Sequence, residues 1–409
     1  MTASSDDAIP PAPDVDALNA FLRASRASLR EDPNASVALV MGNEAADLDS
    51  MACAVSYAYA ASRDASSRDG GVDSVAFVAV IAVPREDFAL RTDAAWLFRD
   101  AGVDVAALVF ADEVDPLALR DAGRLKGVTL VDHNRAAAAY ESVVHLVGAI
   151  VDHHEDEGKY PSTASTTIAT VGSCATLVTE ALDGSFRRGG ALNGEGPLAR
   201  LLAGAVALDT QNLDFSASRA TERDAAALAR LAPLAGLSSS ADVDAFYETL
   251  KRRRFDQAGL SPRDLLRRDY KQWDMGGWIV GIASFGVPLT KMGDPNDVAG
   301  ACDAFAAERG LDILALMSAF DDDENGGAFA RQLAMRAAPG APRGTERVLR
   351  EMVETTMRDA LGGLTALEGA GAFEDCAAFR QGDPKGSRKK VQPVMLAYLE
   401  ARPKASFGG

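Results

Sequence analysis

Three short apolar runs in the first half of the chain end in the same way, and this pattern narrows the possible folds more than any other feature. Residues 37–41 (Val-Ala-Leu-Val-Met) break at Gly42 and lead at once to Asn43, Asp47 and Asp49. Residues 127–131 end in Asp132-His133-Asn134, and residues 148–151 in Asp152-His153-His154. Apolar runs of this length, bounded by polar turns, read as buried strands with helical patterns between them. Strand and helix alternating at this spacing imply a parallel sheet with right-handed crossovers. The polar clusters then gather at the carboxyl edge of the sheet, where open α/β sheets bind ligands. A fourth cluster, Asp209-Thr210-Gln211-Asn212, follows a helical or extended apolar stretch over 201–208.

In the first cluster Ser50 is expected to cap a helix over 51–61. Asp47 and Asp49, with the Asn43 amide four residues upstream, are hard oxygen donors whose spacing lets one loop serve two divalent cations. Taken alone, the same residues also suit an acidic helix start. Three of the four histidines, His133, His153 and His154, fall in these clusters beside acids, which favours ligands over isolated core histidines.

The remaining pattern divides the chain in two. Residues 1–15 read as a disordered tail and 15–29 as an amphipathic helix. Strands are expected over 72–83 and 105–110, and helices after Pro84, over 113–122 and over 221–234. The Gly/Ser-rich stretch 236–241 is the best linker, which gives domains at 1–235 and 243–409 joined by 236–242. The second half reads as basic helical segments (243–254 and 261–269) and strands over 277–285, 311–318 and 328–335. A turn falls at 321–327, with a helix over 345–361 and a last apolar element over 391–399. The expected fold is therefore α/β, a doubly wound, mainly parallel sheet followed by a smaller α+β domain around a mainly antiparallel sheet.

Charge bears on the ligand. The chain carries a net −17, which argues against general nucleic-acid binding. Two windows run against the total: 250–273 holds eight basic and three acidic residues, and 380–390 holds five and one. They suit either a small polyanion or two solvated helix faces. The four cysteines have neither metal-type spacing nor disulfide density, so they are expected to be reduced, packed thiols. Without a membrane-length apolar run, and with an acidic, Pro-rich start, a cytoplasmic address and no membrane partner are expected.

Taken together, the Gly-Asn-Glu-Ala-Ala-Asp-Leu-Asp-Ser motif at 42–50, Val-Asp-His-Asn at 131–134, Val-Asp-His-His at 151–154, Leu-Asp-Thr-Gln-Asn at 208–212 and Ser-Arg-Lys-Lys at 387–390 resemble the DHH phosphoesterase superfamily. Within it the chain is most similar to the exopolyphosphatase (yeast cytosolic type) and prune branch. The resemblance spans about 35–398 and implies a DHH domain, a DHHA2 domain and an active site in the cleft between them. It implies Asn43, Asp47, Asp49, Asp132, His153 and Asp209 as ligands of two divalent cations, Mg2+ or Mn2+, with Asp132 bridging. His154, Lys271 and Arg388 are implied in catalysis, and these with Lys389 in holding phosphate. Asn43 stands where the family's pyrophosphatases have histidine, a swap expected to favour magnesium. The implied reaction is in-line attack of water on the terminal phosphate of inorganic polyphosphate or another short phosphoanhydride. The rivals are an inorganic pyrophosphatase, or a prune-like short-chain polyphosphatase or phosphodiesterase with a partner-binding role.

Overall fold

The computed structural model describes residues 16–68, 75–161, 163–184, 196–217, 220–322, 326–369, 371–373 and 377–407. The expected tail 1–15, the start of the strand expected over 72–83 and the thiol of Cys376 lie outside these. The chain divides into two compact units, Met1–Phe255 and Asp256–Gly409.

The first unit is built on six parallel strands: β1 (Val37–Met41), β2 (Ala76–Ile81), β3 (Val109–Phe110), β4 (Leu125–Val131), β5 (Val147–Asp152) and β6 (Ser165–Ile168). Their order, β3-β2-β1-β4-β5-β6, is doubly wound and reverses between β1 and β4. Ligands bind at such a reversal because the chain leaves the two strands in opposite directions and opens a crevice. The pleat sends alternate side chains to opposite faces. Leu39, Met41, Val78, Val80 and Leu130 enter one core, while Val40, Ala79, Ile81, Val131 and Val151 enter the other.

Eight helices belong to this unit among the described residues: α1 (Asp16–Arg30), α2 (Leu48–Arg68), α3 (Thr92–Asp100), α4 (Pro116–Asp121), α5 (Cys174–Gly184), α6 (Gly196–Asp209), α7 (Glu222–Leu234) and α8 (Ser240–Phe255). The stretch before Asp209, open between helix and strand in the sequence, is helix, consistent with its Leu and Ala content. It is buried from Gly196 to Leu208. Gly204 makes room for its neighbours there, since a Cβ would stand 2.5 Å from Leu97 Cδ2 and push that side chain aside. Arg200 is buried with it, and donates from Nε to Asp100 (2.6 Å) and from Nη1 to the Ala235 carbonyl (2.8 Å).

Several expectations shift. The run 105–110 is a 3-10 turn and only two residues of strand, because the Asp104 carboxylate caps the Ala106 amide. The polar edge strand β6 has no apolar signature to betray it. Residues 236–242 hold the tight turn from α7 into α8 and the first residues of α8. Buried Leu237, Phe246 and Leu250 seat that region in the first unit, so the compact division falls after Phe255.

The second unit is a six-stranded mixed sheet: β7 (Tyr270–Met275), β8 (Trp278–Phe285), β9 (Ile313–Asp322), β10 (Ala328–Ala337), β11 (Leu364–Ala366) and β12 (Ala377–Gln381). Its order is β11-β12-β10-β9-β8-β7, antiparallel except between β8 and β9. That parallel pair is joined through α10 (Pro295–Glu308); α9 (Pro262–Arg268) precedes the sheet. After β10 come α11 (Thr345–Met352), a π turn (Val353–Met357) and α12 (Arg358–Ala360), and α13 (Arg388–Glu400) follows β12. Apolar cores cover both faces of the sheet. No described helix is long and apolar enough to cross a membrane.

Candidate metal centre

The loop after β1 folds back tightly. A Cβ on Gly42 would meet Ser50 Oγ at 2.3 Å, so only glycine lets the strand end approach the helix. Ser50 does not cap α2 as expected. The helix starts at Leu48, the Asp47 carboxylate accepts from the Ser50 amide (3.1 Å), and Ser50 Oγ accepts from the Asn43 amide (2.6 Å). Asp49, in the first turn, is buried and accepts from the Cys174 and Ala175 amides at the start of α5 (2.7 and 2.8 Å).

Asp132 follows β4 at the sheet reversal, in a left-handed conformation (φ 63°). Gln211, Asn212 and Leu213, just after Asp209, are left-handed too, and so is Ala46 beside Asp47. These five are the non-glycine residues with positive φ among the described residues, and all lie in the loops that carry the acids. Such conformations are costly for side chains and concentrate where function holds them.

Asp47, Asp49, Asp132, His153, His154 and Asp209 line one cavity of about 320 Å³, with Val171 and Gly172 completing its wall. His153 Nδ1 lies 3.0 Å from the Val171 carbonyl, which fixes the proton on Nδ1 and leaves Nε2 facing Asp132. His153 Nε2 is 3.2 Å from Asp132 Oδ1 without the alignment of a hydrogen bond, so that buried oxygen has no hydrogen-bond partner among the described residues. His154 Nδ1 is 2.8 Å from Asp152, leaving its Nε2 and more than half of the side chain exposed. Asp132, His153 and His154 bring their donor atoms within 4.8 Å of one another.

Charge explains what this arrangement needs. Burial, with the charge of Asp49, pushes the Asp132 carboxyl up to about 8. Burial and Asp47 raise Asp49; burial and its acidic neighbours raise Asp209 well above the usual range. Burial opposes a charge on His153, but Asp132, Asp49 and the Val171 carbonyl outweigh it and lift the ring to about 10. These acids cannot all be ionised in so small a buried space without added positive charge. A carboxylate-rich set, an orphaned oxygen and an imidazole oriented through its second nitrogen fit divalent cations well.

Asn43 is brought to the same loop in a different attitude. Its NH2 donates to Asp132 Oδ2 (2.7 Å), and its oxygen accepts from the Ala46 amide (3.0 Å). As placed, it steadies Asp132; offering its oxygen to a cation requires turning the amide over and losing the Ala46 bond. Asp152, not among the expected site residues, is wholly buried and accepts from Asn134 Nδ2 (2.5 Å), the His153 amide (2.7 Å) and the His154 amide (3.1 Å). His133 turns back to the Val131 carbonyl (2.8 Å), so it braces the loop with Asn134. Asp224 holds the opposite wall by accepting from the Gly172 amide (2.8 Å) and Thr176 Oγ1 (2.6 Å); its sequence position, inside a helix start, gives no sign of this.

Lys271, Arg388 and Lys389 belong to the second unit. Lys271 lies exposed on β7, and Arg388 opens α13, where it donates to the Asp269 carboxylate (2.7 Å) and carbonyl (2.9 Å). Lys389 is exposed beside it. Within the basic window 250–273, two arginines turn inward. Arg253 lies 5.8 Å over the Trp96 ring and Arg254 Nε is 3.7 Å from Asp93, which engages both with the first unit.

The profile of the DHH family, N-terminal domain, matches residues 37–208, and that of the DHHA2 domain matches 248–398. Exopolyphosphatase PRUNE1 of Mus musculus is 30% identical over 391 residues, covering 94% of this chain and 81% of that protein. The chain belongs to the DHH phosphoesterase family. It is thus a hydrolase. A putative exopolyphosphatase of Schizosaccharomyces pombe is 28% identical, covering 88% of this chain and 90% of that one. A probable manganese-dependent inorganic pyrophosphatase of Deinococcus radiodurans is also 28% identical, but over 46% of this chain and 60% of the other.

Proposed function

We propose that this DHH-family hydrolase is an exopolyphosphatase that removes terminal phosphate from inorganic polyphosphate with two divalent cations, Mg2+ or Mn2+. The observation that carries the reading is the convergence of four aspartates and His153 on one cavity at the sheet reversal, with more negative charge than burial allows unless cations are present. Asp47, Asp49, Asp132, His153 and Asp209 would hold the ions, with Asn43 holding Asp132 or turning to serve as a sixth ligand. When bound, divalent cations supply Lewis acidity, which acidifies water and offsets phosphoryl charge.

The chain's own groups do the rest. His154, anchored through Nδ1 on Asp152, offers Nε2 to the phosphoryl or leaving oxygen. Lys271, Arg388 and Lys389 would neutralise the terminal phosphoryl group and the leaving chain as charge moves onto them. Water attacks phosphorus in line, the anhydride P–O bond breaks, and orthophosphate leaves together with a chain shorter by one unit. A pyrophosphatase is the rival reading. Relatives named exopolyphosphatase align over both domains, whereas the pyrophosphatase relative aligns over under half of the chain.

Metal analysis beside phosphate release tests the reading. Wild type should bind two ions per chain and turn over polyphosphate, and Asp132→Ala should do neither. An Asp132→Ala protein that keeps two ions and more than a few per cent of turnover would overturn it.

A further inference from the structure

The second unit carries an arginine-lined groove that the phosphoesterase reading does not use. It consists of two adjoining cavities, of about 810 and 560 Å³, which share Arg336, Ala337, Glu346 and Arg350. The larger adds Arg343 and Arg347; the smaller adds Arg358 and an apolar wall that includes Leu349, Val353 and Phe379.

The charges there are unusual for so acidic a chain. Arg343, Arg347, Arg350 and Arg358 are exposed, and among the described residues none makes an ion pair or side-chain hydrogen bond. Their spacing of four, three and eight residues sets them along one side of α11 and the turns after it. Arg336 pairs with Asp303 through one terminal nitrogen, and the other, Nη1, is buried with no acceptor. Asp303 is thereby committed, which leaves Glu346 and Glu354 as the acids lining the groove without a described partner. In sequence the segment is invisible, because residues 343–358 hold four arginines and three glutamates. Folding separates them: Glu351 turns to the Tyr398 hydroxyl (3.4 Å).

We propose that this groove is a binding site for an organic oligophosphate, whose phosphoryl groups sit among Arg343, Arg347 and Arg350 and whose apolar body sits against Phe379 and Leu349. Arginine is the side chain suited to phosphate, through its planar fork of donors. The first turn of α11 adds to this: Gly344 gives it no side-chain cap, and although the Thr345 amide donates to the Pro342 carbonyl (3.2 Å), the Glu346 and Arg347 amides have no partner among the described residues. An inorganic chain would use the arginines but gain nothing from the apolar chamber. Both cavities fall in the size range of small-molecule sites. The site stands independently of the metal centre.

The test is calorimetric titration of the full-length protein, stripped of divalent cations with EDTA at low salt, using ATP and tripolyphosphate as probes. ATP should bind saturably at one per chain, and tripolyphosphate at least about threefold more weakly. Arg347→Glu with Arg350→Glu should weaken ATP at least about tenfold, or about 1.4 kcal/mol, without altering the thermal melt, while Lys271→Ala should leave binding unchanged. No saturable binding, or a double variant that binds like wild type, overturns the proposal. So does loss of binding in Lys271→Ala, which would put the ligand at the substrate residues. Equal affinity for the two probes overturns the organic-ligand assignment.

Discussion

Replacing Asp132 by asparagine should stabilise the metal-stripped protein and destabilise the metal-loaded one. The amide suits the position. Asparagine tolerates the left-handed backbone at φ 63° and keeps an acceptor for Asn43, and its NH2 can face His153 Nε2 once that ring, freed of the carboxylate, is neutral. It also removes a carboxyl lifted from 3.8 to about 8. At pH 7.5 such a group takes up a proton on folding, and a gap of about 3.7 pH units at about 1.36 kcal/mol each costs about 5 kcal/mol. Losing the partner of the His153 imidazolium, itself held at about 10, returns about 3 kcal/mol. The net gain is about 2 kcal/mol, or roughly 4–8 °C in Tm for a unit of this size. A carboxyl raised in the folded state favours folding below its ordinary pKa and loses that contribution as pH climbs to the folded value. The His153 contribution, by contrast, is fully present below pH 6.5, so the variant's advantage should shrink as pH falls from 8, vanish at about pH 7 and become a deficit at pH 4. Adding magnesium or manganese should reverse the order, because only wild type gains binding energy. Differential scanning fluorimetry across pH, with and without EDTA, reads both arms. A stripped variant that melts below wild type at pH 7.5, or equal stabilisation of both proteins by metal, would refute the reasoning.

Other consequences are as specific. Glu113 accepts hydrogen bonds from Arg26, Arg30 and Arg85 and from the Phe110 amide; burial opposes its charge, but the arginines hold it at about 2. Glu113→Gln should therefore lose about 3 kcal/mol near neutral pH, a loss that denaturant titration should find fading as pH falls from about 4.5 to about 2. Asn43→Ala should weaken metal binding while keeping wild type's metal ranking if Asn43 only steadies Asp132, and Asn43→His should move the preference towards manganese or cobalt, both read by metal titration of stripped protein. Asp269→Asn, which loosens the clamp on Arg388, should lower kcat more than it raises KM with little change in melting. Burial pushes the Cys174 thiol up to about 12 and Cys53 well above its usual range, so neither should alkylate at pH 8 until the protein unfolds, as mass spectrometry of labelled native protein would report.

The parallel half was legible because its central strands are buried on both faces and read as continuous apolar runs, three of them followed at once by polar clusters. That alone delivered Asp47, Asp49, Asp132 and His153 to one edge. Asp209 was reached through its motif, although it ends a buried helix and not a strand; an all-apolar run carries no period by which to tell the two apart. The edge strands β6 and β7 and the internal strand β12 were missed since none of them carries a long apolar run. Roles set by hydrogen bonding could not be read at all. That Asn43 presents its NH2 to Asp132, that Asp152 and Asp224 brace the two walls, and that Arg253 lies on Trp96 depend on which residues meet after folding. The arginine groove was hidden for the same reason, within a window whose charge nearly cancels.

Substrate choice separates the exopolyphosphatase reading from its rival most directly. Orthophosphate release should be followed in parallel on pyrophosphate, tripolyphosphate and long-chain polyphosphate, with saturating magnesium or manganese. The predicted result is turnover of tripolyphosphate and longer chains well above that of pyrophosphate, abolished on every substrate by Asp132→Ala and reduced on every substrate by Lys271→Ala or Arg388→Ala. Turnover of pyrophosphate equal to or faster than that of the longer chains would contradict it and make the protein a pyrophosphatase.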